Sequence, residues 1–336
     1  MDSRRRAVVL LAAAASASCA GIQSAVDPRG PQAAHIANLW WLFLGVCTAV
    51  LLAVAVAVTL ALFRRGRRAV EAPPADGEPR KVRAVAAATA VTAVTLLVLL
   101  VSSVYVSSVT SLMPGSERQP ITVDVVGHQW WWEFRYRDPQ ASRTFTTANE
   151  MRIPVGRPVI IRAMSRDVIH SFWVPNLHGK IDLVPGRTNT LWIQADQPGA
   201  FRGQCAEFCG LQHAKMAFFV IAEPEDRFAA WVEAYLRPAR TPETERARVG
   251  QQVFLESQCS MCHTVRGSGA WGKVAPDLTR FAIRRTIGAG TLANNRGNLA
   301  GWIVDPQRIK PGNHMPPTAL EAERLQALLE YLEGLK

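Results

Sequence analysis

Two long uncharged runs separated by a short basic loop constrain this chain more than any other feature. No Asp, Glu, Lys or Arg occurs from Gly30 to Phe63, and none from Ala84 to Ser116. Within the first run, LWWLFLGVCTAVLLAVAVAVTLALF (39–63) is long enough to cross a bilayer, which takes about 20 apolar residues. Trp40 and Trp41 suit an interfacial belt at one end, and RRGRR (64–68) closes the other. A second span is expected over about 84–108. The loop between them carries Arg64, Arg65, Arg67, Arg68, Arg80, Lys81 and Arg83, so the positive-inside rule puts it in the cytoplasm. A two-helix transmembrane hairpin over 36–113 follows, with everything beyond about residue 116 on the outer side. Cys47 falls mid-span and reads as a small apolar residue. His35, just before the span, carries no signal.

Residues 1–20 combine a charged start, an apolar stretch and small residues around Cys19, the pattern of a bacterial secretory signal peptide. Two fates of Cys19 stay open: a lipid-carrying N-terminus, or removal with the leader. Ser16 stands where a lipoprotein signal usually has an aliphatic residue. The net charge of +11 does not point to nucleic acid. Eleven of the 38 Lys and Arg fall in residues 1–116 against five of the 27 Asp and Glu, so +6 of the charge flanks membrane. No basic stripe is interleaved with aromatic residues, which excludes a nucleic-acid binder and leaves membrane lipid as the expected contact.

After Met113-Pro114-Gly115 the texture changes. ITVDVVGHQWWWEFRY, RIPVGRPVIIRAMS, the stretch from His170 to Gly203, and MAFFVIAE are rich in β-branched and aromatic residues and are punctuated by Pro, Gly and Asn. Short strands over 117–222 predict an all-β sandwich or barrel. Its last loop reads GQCAEFCGLQHAKM (203–216), with two cysteines four apart, a histidine four further on and a methionine three beyond. Three readings compete: a Cys205–Cys209 disulfide; a zinc site of two thiolates and two imidazoles, which has no use for Met216; and a copper site of the His, Cys and weak axial Met kind. His170, in VIHSFWVP, is the natural distant ligand. Two thiolates from Cys205 and Cys209, two imidazoles from His170 and His213, Met216 and the Glu207 carbonyl suit two coppers sharing two sulfurs. His128 and His178 fall on no ligand position.

His170 with CAEFCGLQHAKM resembles the binuclear copper-A motif of cytochrome c oxidase subunit II, the copper-A subunit of haem–copper oxidases. The two-helix hairpin before a cupredoxin domain resembles that family's architecture, and the resemblance covers about residues 35–222. It implies that the Glu207 side chain helps hold a magnesium ion at the boundary with subunit I. GHQWWWEFRY resembles the family's aromatic segment, in which a tryptophan accepts electrons from external cytochrome c, and Trp130 is the positional match. Trp131 and Trp132 then fill core and interface positions. One departure stands out. The family often carries a Glu followed by Trp and Pro early in its second transmembrane helix, whereas VRAVAAATAVTAVTLLVLLV has none, which speaks against a proton-input role for this subunit.

A charged, Pro-punctuated linker (223–245) leads to a second soluble domain over 246–336. RVGQQVFLESQCSMCHTV is an amphipathic helix running into Cys259-Ser-Met-Cys262-His263, the attachment signature of a c-type haem. Cys259 and Cys262 bind the porphyrin covalently, and His263 lies under the iron. Met315, in a Pro/Gly loop before a last amphipathic helix, resembles the axial methionine of class I cytochromes c. APDLT (275–279) resembles the loop whose proline carbonyl orients the proximal histidine, here Pro276 to His263. His314 is a weaker competitor for the iron, and Met261 reads as packing.

The expected fold is a membrane-anchored multidomain chain: a transmembrane hairpin, an all-β cupredoxin sandwich and an all-α class I cytochrome c. The resemblance implies the electron-entry subunit of a terminal cytochrome c oxidase in the bacterial inner membrane, with both soluble domains on the periplasmic side. Electrons would run from an external donor, a cytochrome c or a cytochrome bc complex, to the C-terminal haem, the copper pair and haem in subunit I, where O2 is reduced to water with proton translocation. Subunit I, and with it subunit III, are the partners this requires. Two alternatives remain: the copper-A subunit of a nitric oxide reductase, and a free-standing membrane-anchored electron carrier. The small-residue run AVAAATAVTAV favours close packing against another membrane protein over the carrier. The two soluble domains are expected to dock through a mostly uncharged aromatic patch near Trp130.

Overall fold

A computed structural model of the chain describes residues 21–65, 78–113 and 119–336. The predicted signal peptide (1–20), Cys19, Arg67, Arg68 and Pro114-Gly115 lie outside the described residues. Two compact units emerge, Ala34–Leu112 and the remainder of the chain.

The first unit is helical. Helix α1 spans Pro31–Arg65 and α2 spans Glu78–Ser111. Both exceed the expected spans of 39–63 and 84–108, because a helix does not stop where its apolar run stops. Arg64 and Arg65 at one end and Glu78, Arg80, Lys81 and Arg83 at the other keep helical backbone. At 1.5 Å per residue each is roughly 50 Å long, more than the ~30 Å hydrocarbon core demands. Most of their large apolar side chains, Leu51, Leu62, Phe63, Val91 and Val98 among them, are exposed, as lipid-facing residues are. The hydroxyls of α2 are absorbed by its own backbone: Thr92, Thr95 and Ser102 bond the carbonyls of Ala88, Val91 and Val98, one turn back. An apolar solvent tolerates Ser and Thr only on such terms.

The second unit holds both soluble domains. Ten strands form two five-stranded sheets. Strand β1 (Ile121–His128), β2 (Trp131–Arg137), β3 (Phe145–Ala148), β5 (Val159–Ser165) and β8 (Asn189–Ile193) make one, in the order β3-β2-β1-β5-β8. Strands β4 (Glu150–Pro154), β6 (His170–Trp173), β7 (Ile181–Leu183), β9 (Gly199–Cys205) and β10 (Ala217–Glu223) make the other, in the order β4-β10-β9-β6-β7. Most neighbours are antiparallel, while β1–β5 and β4–β10 run parallel. The strand period decides what is buried: in β2, Trp132, Phe134 and Tyr136 point inward while Trp131, Glu133 and Arg135 point outward. Trp132, Phe134, Phe172 and Phe218 meet at the centre with ring centroids 4.8–6.2 Å apart. This is the cupredoxin-like sandwich that the strand pattern predicts.

Helix α3 (Glu225–Leu236) leaves the sandwich but does not leave its surface. Its buried face, Phe228, Trp231 and Tyr235, packs on Tyr136 and Phe145. The C-terminal domain then builds from α4 (Glu245–Glu256), α5 (Cys259–Cys262), α6 (Arg296–Val304), α7 (Pro306–Ile309) and α8 (Ala322–Glu333), with α4 crossing α8 at the core. Thr244 caps α4 by accepting the Ala247 amide at 3.0 Å, and Asn295 caps α6 by accepting the Asn298 amide at 2.9 Å. The expected linker 223–245 is therefore mostly ordered: β10 runs into it, α3 fills half of it and α4 begins at its last residue. Arg280 fixes its exit by donating to the carbonyls of Ala234, Arg237 and Pro238.

Candidate metal centres

The loop between β9 and β10 folds back on the end of β6, because Ala206 N–H donates to Ser171 O (3.0 Å) and Cys205 N–H to Met216 O (2.9 Å). That registration brings the predicted donors together. The two sulfurs of Cys205 and Cys209 lie 3.7 Å apart, and both cysteines are free thiols, well beyond the ~2.05 Å of a disulfide. Around Cys205 Sγ stand His170 Nδ1 at 3.8 Å and the Glu207 carbonyl oxygen at 3.1 Å. Around Cys209 Sγ stand His213 Nδ1 at 3.6 Å and Met216 Sδ at 3.8 Å. Each sulfur thus has one imidazole and one weak donor of its own and shares the other sulfur. His170, Cys205, Cys209 and Met216 are buried, while His213 and Glu207 are partly exposed.

Several residues that the spacing did not reveal hold this cluster. Asp167 Oδ1 lies 2.7 Å from His170 Nε2, which leaves Nδ1 to face the sulfurs. Burial opposes a charge on His170, but the bond to Asp167 and the neighbouring Cys205 outweigh it and raise its pKa. Gly127 lets the ring in: a Cβ there would sit 2.7 Å from His170 Cδ2. Without a cation the two thiols cannot ionise together. The Cys209 thiol beside it holds Cys205 low, and the same proximity pushes Cys209 up. One thiolate at a time is then favoured, and a bound cation would let both carry charge. The Cys209 carbonyl accepts from Gln129 Nε2 (2.8 Å) and from the Trp130 indole (2.9 Å). The three tryptophans separate by role. Trp132 is fully buried in the core, Trp131 stacks on His128 at 4.2 Å, and Trp130 is buried beside Cys209. His128 pairs with Glu133 at 2.9 Å. The Glu207 carboxylate turns outward, 3.6 Å from Lys180.

On the C-terminal side a cleft of ≈ 1210 Å³, its mouth included, is lined by Cys259, Cys262, His263 and Met315 together with Trp130 and Trp131 of the sandwich. His263 Nδ1 lies 2.7 Å from Pro276 O, the contact expected from APDLT, so Nε2 is the nitrogen left for a metal. Burial lowers the His263 pKa, which favours the neutral, ligating form. Met315 is held by its amide donating to Asn313 Oδ1 (2.8 Å) and by its carbonyl accepting from Gln307 (2.9 Å). His314, exposed, tilts against Trp130 with centroids 6.2 Å apart. The thiol pair, the imidazole and the thioether around one cleft fit a covalently bound c-type haem.

Residues 138–223 match the family of the cytochrome c oxidase subunit II periplasmic domain, and residues 247–336 match the cytochrome c family. Cytochrome c oxidase subunit 2 of Alkalihalophilus pseudofirmus is 38% identical over 323 residues, covering 93% of this chain and 91% of that protein. The chain belongs to the cytochrome c oxidase subunit 2 family. The subunit 2 of Bacillus subtilis is 34% identical over 64% of this chain and 62% of its own length. A solved structure, the periplasmic domain of subunit II of cytochrome oxidase of Bradyrhizobium japonicum, is 32% identical, covers 37% of this chain and 96% of that one, and has a TM-score of 0.34. Membership in the subunit 2 family makes this a membrane-anchored component of a haem–copper oxidase, an oxidoreductase complex in which it associates with subunit I. The subunit II domain implies copper A, and the cytochrome c domain implies haem.

The domains dock where expected but not with the expected chemistry. Trp130 is at the boundary, yet so are charged groups: Lys310 is buried there, Arg285 lies over the Phe219 ring with 5.8 Å to its centroid, and buried Glu150 accepts from the Arg285 amide. Main-chain carbonyls take the Lys310 charge and a main-chain amide the Glu150 carboxylate, while Arg285 rests on the Phe219 ring.

Proposed function

We propose that this chain is the electron-entry subunit of a terminal cytochrome c oxidase. It takes electrons from an external cytochrome c or cytochrome bc complex at the C-terminal domain and delivers them through the sandwich to haem in subunit I, where O2 is reduced to water with proton translocation. His170, Cys205, Cys209, His213, Met216 and the Glu207 carbonyl hold the two coppers. Cys259 and Cys262 would hold a haem covalently, and His263 and Met315 would supply its nitrogen and sulfur ligands. The observation that carries this reading is the two-sided cluster, in which each sulfur has its own imidazole and its own weak donor. Zinc would leave Met216 and the Glu207 carbonyl without a use. When bound, these groups would supply one-electron redox chemistry.

The protein's part is positional. Asp167 and Pro276 orient the imidazoles of His170 and His263. Trp132, Phe172 and Phe218 keep water from the sulfurs. Trp130 touches both centres, its indole on the Cys209 carbonyl and its ring on the haem cleft, which supports it as the bridge between them. A magnesium ion at the subunit I boundary would have to displace the Lys180 contact from Glu207. The basic loop between α1 and α2 supports a cytoplasmic hairpin loop in the bacterial inner membrane, with both soluble domains on the periplasmic side and subunit III as a further neighbour.

Metal analysis and EPR of the full-length chain, matured with haem and loaded with copper, test this. Two coppers per haem, with one electron shared by both nuclei, is the expected result; a single copper, or none, would falsify it. Trp130→Ala should keep both metal spectra and slow haem-to-copper transfer. An unchanged rate removes Trp130 from the path.

A further inference from the structure

We propose that Lys310 is a positioning residue, its buried ammonium registering the C-terminal domain on the copper loop at Trp130 and so fixing the separation across which electrons pass. The inference rests on the electron-entry reading above, but its observations are independent of any metal. Lysine is almost never fully buried, yet Lys310 is only 2% exposed. An ammonium has three protons to donate and accepts nothing, and here all three are used. They go to Trp130 O at 2.7 Å, Lys215 O at 2.7 Å and Gly288 O at 3.0 Å. The first two carbonyls belong to the sandwich and the third to the C-terminal domain. One side chain therefore closes the boundary from both sides.

The neighbouring residues repeat the pattern. Lys215 Nζ donates to Ile309 O and Gln212 Nε2 to Pro311 O, each at 2.6 Å. Three consecutive residues, 309 to 311, are thus each bonded to the loop that carries the copper donors. Gly312, at φ +81°, keeps the tongue close: a Cβ there would lie 2.9 Å from Leu211 Cδ2. The same tongue leads into the haem cleft. Asn313 Nδ2 donates to Lys310 O at 2.7 Å, and its Oδ1 receives the Met315 amide. A short rigid path therefore runs from Met315 through Asn313 and Lys310 to the Trp130 carbonyl, and from the Trp130 indole to the Cys209 carbonyl. An apolar side chain could fill the same space, but it would not be tied to one register. The three carbonyls are satisfied only when Nζ is within 3.0 Å of all of them.

The test is Lys310→Met in the full-length, haem- and copper-loaded chain. Pulsed EPR reads the haem–copper distance distribution, and flash reduction reads the transfer of one electron from iron(II) to the copper pair, with no bond made or broken. The expected result is unchanged metal spectra, a broadened distance distribution and transfer slowed by about tenfold or more, since small misplacements are costly in rate. A distribution as narrow as in the unaltered chain overturns the proposal, whatever the rate. If Lys310→Met loses either metal, the Gln212→Ala, Lys215→Met double variant takes its place and must broaden the distribution, or the proposal fails. Absence of a two-copper signal in the unaltered chain would count against the functional reading instead. Docking is then read by hydrogen exchange over 211–217, which Lys310→Met must accelerate.

Discussion

The copper loop and the haem cleft solve the same problem in opposite ways. The loop gathers five of its six donors within Cys205–Met216, seats Cys205, Cys209 and Met216 as part of the sandwich's buried core, and needs only His170 from elsewhere. The haem groups are spread from Cys259 to Met315 and line a cleft beside the core that α4 and α8 pack. The first centre is built by the fold; the second completes it. The contrast also explains why the loop could be assigned donor by donor, whereas Met315 had to be placed by its resemblance to other cytochromes.

The contrast predicts a large asymmetry on losing each cofactor. Cys259→Ala with Cys262→Ala should lower hydrogen-exchange protection in α4 and α8 by about a thousandfold or more, the scale of a small domain's whole stability. Chelating the copper should leave β1, β2 and β10 protected. Equal losses in both domains would break the comparison.

A smaller asymmetry concerns the two oriented imidazoles. His170 is held by a side chain, Asp167, and His263 by a main-chain carbonyl, Pro276. Asp167→Asn should therefore weaken copper binding by about 10–100-fold, the usual cost of a lost outer partner. Pro276→Ala keeps its acceptor and should leave the haem spectrum and iron potential almost unmoved. Copper titration and redox potentiometry check the pair. A larger effect at Pro276 would reverse the argument.

What the sequence disclosed follows the same division. The hairpin was legible because apolar runs of that length have few alternatives, although α1 and α2 outrun them into charged residues. The sandwich was legible from β-branched runs; the spacing of the donor loop left disulfide, zinc and copper readings open until the resemblance to the copper-A motif was added. Asp167, Gln129 and Gly127 were not, because their roles arise only when β1 and the turn before β6 are brought side by side. Lys310 was the hardest. In IKPGN it reads as a surface lysine, and only tertiary approach of two loops makes it buried. The mostly uncharged docking patch expected near Trp130 therefore also holds Lys310: a sequence shows that a charge exists, not that three carbonyls await it.

A third prediction separates the ring of Trp130 from its hydrogen bond. Trp130→Phe keeps an aromatic ring beside the cleft but leaves Gln129 as the remaining side-chain donor to the Cys209 carbonyl. Loss of one such bond costs about 1 kcal/mol of local stability, so the loop should loosen slightly and haem-to-copper transfer slow modestly. That should be less than the fall in Trp130→Ala. If Phe and Ala behave alike in flash-reduction kinetics, the indole N–H carries the whole effect.

The last comparison sets the outward face of β2 in the copper domain against the boundary with the C-terminal domain. Burial would raise the Glu133 carboxyl, but bonds from His128 and Arg135 outweigh it and hold it at about 2. Its folded pKa lies below the ordinary 4.5, so its stabilisation is complete above pH 4.5 and is lost as pH falls toward 2. Glu150, at the boundary, is shifted the other way by burial. Its folded state takes up a proton first, so acidification from neutral pH toward 4.5 favours folding there. Glu133→Gln should cost on the order of 3 kcal/mol at pH 7 and flatten the acid limb between pH 4.5 and 2. Glu150→Gln should remove the opposite slope above pH 4.5 and leave the acid limb intact. Denaturant unfolding of the full chain at a series of pH values reads both. Parallel curves for the two variants would mean that the boundary and the outward face of β2 share one electrostatic environment. The copper domain and its docking surface would then have to be treated as a single cooperative body, since acid could no longer loosen the sheet while tightening the contact beside it.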